Sequence, residues 1–130
     1  MMSISPTQAN AGVDVALTEA KLCGANRPAV LSATRKMSAH YGLPQNLLMG
    51  IIWVESGCNP LAVSDAGAIG LMQVMPSNQG KQFRGRPKDY ELFPIDANIL
   101  WGTFILYEMD YRYCGLWHRY NSRYPKEQLE

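Results

Sequence analysis

The sequence predicts a mainly α-helical protein with a single domain. Apolar residues recur at helical spacing in three segments, and no segment of useful length alternates apolar and polar residues as a half-buried strand would. At 130 residues the chain can bury one core, whereas two domains would each be too small without metals or disulfides. Apolar residues make up 47% of the chain and charged residues 18%, which favours a globular fold over disorder.

Two helices are predicted in the first half of the chain. The first begins near Pro28, which suits a first turn, and ends at Gly42. The second follows Pro44 and ends at Gly57. Five residues of this second helix share one broad face at helical spacing: Leu47, Leu48, Ile51, Ile52 and Glu55. That face therefore combines four aliphatic side chains with one acid.

Loops and a third helix are predicted to follow. Residues 58–70 are rich in Asn, Pro, Ser, Asp and Gly, which is typical of turns. A basic connecting loop then carries four cations: Lys81, Arg84, Arg86 and Lys88. The third helix is predicted to start with Asp96 as its N-cap residue, and a short final helix is expected around residues 116–121. Residues 1–26 have little periodicity and are predicted to form a flexible arm.

Charge and hydropathy exclude several classes of function. With a formal net charge of +1, the chain has no strong overall field for nucleic acid, so no nucleic-acid partner is expected. No apolar run approaches the roughly 18 to 20 residues of a membrane span, so no transmembrane segment is expected. The first twenty residues lack the basic start and apolar centre of a secretory signal peptide, so none is expected in this sequence.

The cysteines and histidines do not have the spacing of a metal site. Cys23, Cys58 and Cys114 show no CxxC pattern, and they allow either one disulfide with a free thiol or three free thiols. His40 and His118 lie far apart in the sequence and lack companion ligands at helical spacing. We therefore expect no metal and no cofactor, and the two cysteine schemes both stay open.

Glu55 is the candidate for acid and base chemistry. It lies three residues after Ile52 and four after Ile51, so helical geometry predicts that its carboxylate turns toward the apolar face. Loss of hydration there would favour the protonated carboxyl group, as a general acid requires. The alternative is that Glu55 is simply an exposed residue in the last turn of its helix.

The segment around Glu55 resembles the signature of the transglycosylase SLT family. It contains Glu-Ser-Gly-x-Asn-Pro from Glu55, a serine nine residues later at Ser64, and Gly-Leu-Met-Gln-x-Met-Pro at residues 70–76. The likeness continues in Asp-Ala-Asn-Ile at residues 96–99 and in a late Tyr-Asn pair at residues 120–121. Several matches at fixed spacing make the resemblance specific.

The resemblance implies a lysozyme-like catalytic domain with a substrate cleft, which we place at residues 27–130. It also implies that Glu55 is the sole catalytic carboxylate of a peptidoglycan lytic transglycosylase. In that role it would cleave the bond between N-acetylmuramic acid and N-acetylglucosamine and leave a 1,6-anhydro end. The substrate-binding residues implied by the family pattern are Ser64, Gln73, Met75, Tyr120 and Asn121.

Other functions remain open for each of these residues. Ser64 and Gln73 suit hydrogen bonds that stabilise a loop, and Met75 suits a place in the core. A hydrolase of the lysozyme type could use Asp65 as a second acid. Because residues 122–124 depart from the family pattern, a peptidoglycan-binding assembly protein without turnover is a third hypothesis.

The expected partner is the glycan strand of peptidoglycan, and a secretion system or phage particle is a further candidate. We expect the protein to act in the periplasm or cell wall, by an export route that the sequence leaves open. The basic loop from Lys81 to Lys88 is expected to assist the encounter with the anionic wall through exposed, salt-screened charges, without taking part in the chemistry.

Overall fold

The computed structural model describes residues 23–110, and these residues are mainly helical. Three α-helices dominate: α1 (Arg27–Tyr41), α2 (Gln45–Ser56) and α3 (Ile95–Met109). Short 3₁₀ helices occur at Gly24–Asn26, Ser77–Gln79, Lys81–Phe83 and Asp89–Leu92. Within the described residues, extended pairing is limited to isolated bridges that join Val63 to Ile69 and Ile69 to Val74. The prediction of a mainly α-helical chain is confirmed.

The ends of α1 and α2 are formed as the sequence predicts. Gly42 follows α1 in the left-handed region, at φ 70°, and its N–H donates to the carbonyl of Ser38 at 2.9 Å. Gly57 follows α2 at φ 58°, and its N–H donates to the carbonyl of Trp53 at 2.9 Å. Glycine adopts this backbone conformation without the steric cost that a Cβ atom brings, so both helices end at glycine.

The predicted N-cap residue of α3, Asp96, lies two residues after the observed one, Pro94. Pro94 has extended backbone angles, φ −58° and ψ 138°, so helical geometry begins at Ile95 and the N-cap position belongs to Pro94. Asp96 lies inside the first turn, where its Oδ1 accepts the N–H of Ala97 at 2.9 Å. A negative charge in the first turn still favours the helix through the backbone dipole. The predicted final helix at residues 116–121 lies outside the described residues.

The core lies where α1 packs against both α2 and α3. Six apolar side chains at its centre are at most 1% exposed: Val30, Leu48, Ile52, Leu71, Leu92 and Ile99. Leu71 and Leu92 come from the connection between α2 and α3, so this connection belongs to the core. Burial of these apolar side chains is the main favourable contribution to the fold.

Asn98 is fully buried in α3 and joins the helix to two parts of the connection. Its Oδ1 accepts the N–H of Met72 at 2.8 Å. Its Nδ2 donates to the carbonyl of Ile69 at 2.8 Å and to that of Leu92 at 2.7 Å. A Cβ atom at Gly70 would lie 2.4 Å from this Nδ2, so the turn passes too close to Asn98 for any side chain. One amide therefore satisfies three backbone groups that the core removes from water.

A disulfide joins Cys23 to Cys58 with a Cα–Cα distance of 5.2 Å. The sequence allows either one disulfide or three free thiols, and the structure has the disulfide. The third cysteine, Cys114, lies outside the described residues. The bond fastens the segment before α1 to the residue that follows Gly57. Residues 23–26, which belong to the predicted arm, are thereby held against the fold, and the extent of the arm stays a prediction.

Loss of the Cys23–Cys58 bond should destabilise the protein. The two cysteines are separated by 35 positions, and closing a loop of that length restricts the unfolded chain by about 4 kcal/mol in the chain-entropy model. Urea unfolding should show this loss in the Cys23→Ala/Cys58→Ala variant and in the reduced wild-type protein. A Cys114→Ala variant should respond to reduction as the wild type does. An unchanged unfolding midpoint after complete reduction would contradict the prediction.

Replacing Asn98 by Ala should cost at least about 3 kcal/mol of stability, because three buried backbone groups each lose a partner worth about 1–3 kcal/mol. Asn98→Asp should also destabilise, since a carboxylate accepts from Met72 but cannot donate to the carbonyls of Ile69 and Leu92. Asn46→Ala, at an exposed position in the first turn of α2, should change stability by no more than about 0.5 kcal/mol. Similar unfolding curves for the variants at positions 98 and 46 would show that Asn98 has no such role.

Candidate active site

Glu55 lies in the last turn of α2, and its side chain is exposed among residues 23–110. The prediction that it faces the buried side of the helix is therefore wrong for the described part of the chain. The buried stripe of α2 is narrow and consists of Leu48, Met49 and Ile52, whereas Leu47 is 44% exposed. Glu55 lies at the edge of this stripe, so the alternative of an exposed residue in the last turn applies.

The backbone that follows Glu55 is held firmly. The Ser56 hydroxyl donates to the carbonyl of Ile52 at 2.9 Å, and Gly57 caps the helix. Cys58 also has a positive φ, 67°, and its sulfur is bonded to Cys23. Two successive left-handed residues and a covalent bond thus fix the point where the chain leaves the helix. The carboxylate is therefore accessible on a backbone that has little freedom.

Ser64 begins a tight turn in the loop after α2. Its Oγ accepts the N–H of Ala68 at 3.0 Å, and its own N–H donates to the carbonyl of Ala68 at 3.0 Å. The Gly67 N–H closes the turn on the carbonyl of Ser64 at 2.9 Å. The loop-stabilising function that the sequence allowed for this serine is therefore present. Because the hydroxyl only accepts in this bond, its O–H proton can still be donated to a ligand.

Gln73 is half-buried and stabilises the same loop. It adopts a left-handed backbone at φ 52°, which is uncommon outside glycine. Its Nε2 donates to the carbonyl of Ala62 at 3.2 Å and to that of Gly70 at 3.0 Å. Both amide hydrogens are thus engaged by the loop, and the side-chain carbonyl oxygen is the group left for a ligand. As a substrate contact, Gln73 can therefore act only as a hydrogen-bond acceptor in this arrangement.

Met72, rather than Met75, fills the core at this point of the loop. Met72 is 8% exposed and packs against Gly102, where a Cβ atom would lie 2.5 Å from the methionine sulfur. Met75 is only half-buried and is not part of the core cluster. Its carbonyl accepts a hydrogen bond from Arg86 Nη1 at 3.2 Å. The side chain of Met75 is therefore available for the cleft wall that the family pattern implies.

Arg86 is a residue whose position the sequence did not predict. The sequence predicts an exposed charge at this position, but Arg86 is half-buried, with its guanidinium carbon 4.7 Å from the centre of the Phe83 ring. Burial lowers the pKa of Arg86 from its ordinary value. Its contacts with Met75 and Phe83 bring one cation of the basic loop to the end of the signature motif. The sequence feature that could have indicated this contact is the spacing of three residues between Phe83 and Arg86.

Ser64, Gln73 and Met75 thus lie in one hydrogen-bonded loop that begins directly after the helix carrying Glu55. The bridges at Ile69 hold the two arms of this loop together. Two other predicted site residues, Tyr120 and Asn121, lie outside the described residues. The arrangement supplies an accessible carboxylate next to a rigid loop with polar groups suited to a sugar.

A family model described as the transglycosylase SLT domain matches residues 32–124, which is more than half of the chain. The chain belongs to the transglycosylase SLT family. The resemblance recognised in the sequence is therefore confirmed, and the mainly α-helical structure agrees with it. The matched SLT domain begins within α1 and includes every predicted site residue from Glu55 to Asn121.

Relatives of this SLT domain include proteins named membrane-bound lytic murein transglycosylase C. The one from Glaesserella parasuis is 45% identical over 82 residues, which is 58% of this chain and 22% of that protein. Those from Actinobacillus succinogenes and Sodalis glossinidius are 37% identical over 101 residues and 40% identical over 91. These two matches cover 72% and 65% of this chain, and 28% and 26% of the relatives. The chain thus spans only about a quarter of the length of such relatives.

The described part of the SLT domain also has a mainly apolar groove between α1 and α3, with a volume of about 680 Å³. Ala33, Met37, Leu100 and Trp101 line it, and Glu55 does not. The predicted substrate cleft beside Glu55 therefore cannot be identified with this groove. No helix within residues 23–110 is long and apolar enough to span a membrane. Nor does any group of three or more His, Cys, Asp or Glu side chains in that range have the arrangement of a metal site.

Proposed function

We propose that this SLT domain is a peptidoglycan lytic transglycosylase and that Glu55 is its catalytic acid and base. Membership of the family and the names of the relatives support the reaction class. The observation that carries the residue assignment is the accessible carboxylate at the fixed end of α2, next to the loop that contains Ser64 and Gln73. A substrate as large as a glycan strand can reach a carboxylate only where it is open in this way.

In the proposed reaction, Glu55 first protonates the oxygen that links N-acetylmuramic acid to N-acetylglucosamine. The bond from this oxygen to the anomeric carbon breaks, and the N-acetylglucosamine side leaves with a hydroxyl group. The Glu55 carboxylate then accepts the proton of the muramoyl 6-hydroxyl while that oxygen bonds to the anomeric carbon. A 1,6-anhydro ring forms, no water is consumed, and Glu55 is returned to its protonated state.

Substrate contacts are assigned from the groups that the loop leaves available. Ser64 can donate its hydroxyl proton to an acetamide oxygen, and Gln73 can accept from a sugar hydroxyl or amide through its side-chain oxygen. The half-buried Met75 offers an apolar surface to a sugar ring. Tyr120 and Asn121 are proposed as further substrate contacts from the family pattern alone.

We further propose that the domain acts where peptidoglycan lies, in the periplasm or cell wall. The Cys23–Cys58 disulfide supports this location, because such bonds form and persist in oxidising compartments. The glycan strand is the partner on which the proposal depends. Delivery by a secretion system or a phage particle stays a prediction of the sequence.

Glu55→Gln should reduce lysis of purified sacculi to below about 1% of the wild-type rate, because an amide cannot carry the proton in either step. Its unfolding free energy should stay within about 0.5 kcal/mol of the wild-type value, since the side chain is exposed in the described structure. Asp65→Asn is the matched control, because it also replaces an exposed acid by its amide. Lysis by Glu55→Gln at more than a few per cent of the wild-type rate would assign the chemistry to another residue.

The product should carry an anhydro end. The 6-hydroxyl is tethered to the reacting sugar and so has a high effective concentration compared with water. Mass spectrometry of digested sacculi should show fragments that are one water lighter than lysozyme products, resist borohydride reduction and gain no oxygen-18 in labelled water. Reducible, labelled ends would identify a hydrolase and make Asp65 the next residue to replace. Binding to sacculi without any new ends would identify an assembly protein.

A further inference from the structure

A polar hollow of about 500 Å³ lies in the basic loop after the signature motif. Lys81, Arg84 and Arg86 line it, together with the polar residues Ser77 and Asn78. Gly80 and Gly85 complete the lining without side chains, which leaves the space between the cations open. The lining contains three positive charges and no carboxylate, so the hollow is suited to an anion.

Arg86 is built into the wall of this hollow. Its hydrogen bond to the carbonyl of Met75 and its position over the Phe83 ring fix the guanidinium group. That hydrogen bond uses one of the five N–H donors of an arginine. Within residues 23–110 it is also the only hydrogen bond made by the side chains of Lys81, Arg84 and Arg86. A fixed, half-buried guanidinium with donors to spare favours a planar, doubly accepting anion such as a carboxylate.

The described acids near the basic loop are not among the residues that line this hollow. Asp89 bonds to Asn78, whose Nδ2 donates to its Oδ2 at 3.4 Å, and its Oδ1 accepts the N–H of Tyr90. Glu108 lines a separate hollow, which is formed by Arg84, Arg86 and residues of α3. The charged side chains that line the hollow are therefore all cations: Lys81, Arg84 and Arg86.

Met75 connects the hollow to the proposed substrate site. Its carbonyl holds Arg86, and its side chain is the proposed wall of the cleft. Peptidoglycan carries its negative charge mainly on the carboxylates of the peptide attached to the lactyl group of each muramoyl residue. The sugar rings themselves are uncharged, so a cationic hollow beside the sugar site matches the peptide and not the glycan chain.

We propose that the hollow of Lys81, Arg84 and Arg86 is a subsite for a peptide carboxylate of the peptidoglycan strand. The subsite rests on the proposed function and gives the domain a preference for strands that still carry their peptides. This differs from a screened, long-range attraction, because a seated carboxylate contacts the guanidinium groups directly.

The test compares cleavage of peptide-bearing strands with cleavage of the same strands after their peptide carboxylates have been amidated. Wild-type kcat/KM should be about tenfold higher on the strands with free carboxylates, as expected for loss of one charge-assisted contact. Lys81→Gln/Arg84→Gln should abolish this preference and leave cleavage of amidated strands unchanged. Both side chains are exposed, so the fold should be retained. The preference of the wild type should persist at 0.5 M salt, where the Debye length is only about 4 Å.

Lys36→Gln/Arg35→Gln removes the same charge from exposed positions on α1 and should keep the wild-type preference. An equal loss on both kinds of strand, or a preference that disappears at high salt, would overturn the subsite. Arg86→Lys is a second variant, because it keeps the charge but loses the forked geometry, and it should lower the preference.

A binding measurement separates failure of the subsite from failure of the proposed function. Calorimetry with the Glu55→Gln variant uses a soluble muramoyl peptide and the same peptide with its carboxylates amidated. The free acid should bind about tenfold more tightly than the amide, and the Lys81→Gln/Arg84→Gln changes should remove the difference. Equal binding of the two peptides overturns the subsite even if the enzyme cleaves both strands. If inorganic phosphate binds as tightly as the free-acid peptide, the hollow is an unspecific anion site, and this result also overturns the peptide subsite.

Discussion

The buried amide of Asn98 is the constraint on which the arrangement of the site depends. A polar side chain at the centre of a core is costly unless it is fully hydrogen-bonded. Asn98, which lies in α3, bonds to three backbone groups outside that helix. These groups belong to the turn around Gly70 and to the end of the basic loop at Leu92. Because the turn is fixed at Ile69 and Met72, the following Gln73 is fixed too. The position of the candidate substrate contacts thus follows from one residue in a helix that carries none of the predicted catalytic groups.

The loop of the site is held from both ends by different interactions. At its start, Gly57 and the Cys23–Cys58 bond determine where the chain leaves α2. Farther along, Asn98 and the bridges at Ile69 determine where it turns. Between these points the backbone has almost no regular structure, but hydrogen bonds cross it from the N–H of Gly70 to the carbonyl of Ala62 and from the N–H of Ser64 to the carbonyl of Ala68. A loop fixed in this way can present Ser64 and Gln73 in constant positions without the support of a sheet.

The sequence predicts what depends on near neighbours. Gly42 and Gly57 end helices because a left-handed residue is needed directly after each, and that requirement is local. The pairing of Cys23 with Cys58 and the contact of Arg86 with Met75 join residues distant along the chain, and no local rule determines them. The family signature located the candidate site, because its spacing depends on the fold as a whole. For Ser64 and Gln73, the signature does not distinguish substrate binding from stabilisation of the loop, because that depends on which hydrogen bonds each side chain makes in the folded loop.

The exposure of Glu55 changes the physical argument for its proposed role. Helical periodicity suggested that the core would remove water from the carboxylate, but the buried stripe of α2 ends at Ile52 and does not include it. General acid catalysis works best in a site from which water is excluded, and the described residues leave Glu55 open to solvent. The bound glycan strand can exclude this water, since a sugar placed over the carboxylate replaces water with ring atoms and hydroxyl groups. In the proposed complex, a peptide carboxylate seated beside Met75 would add to the binding energy that holds the strand over Glu55.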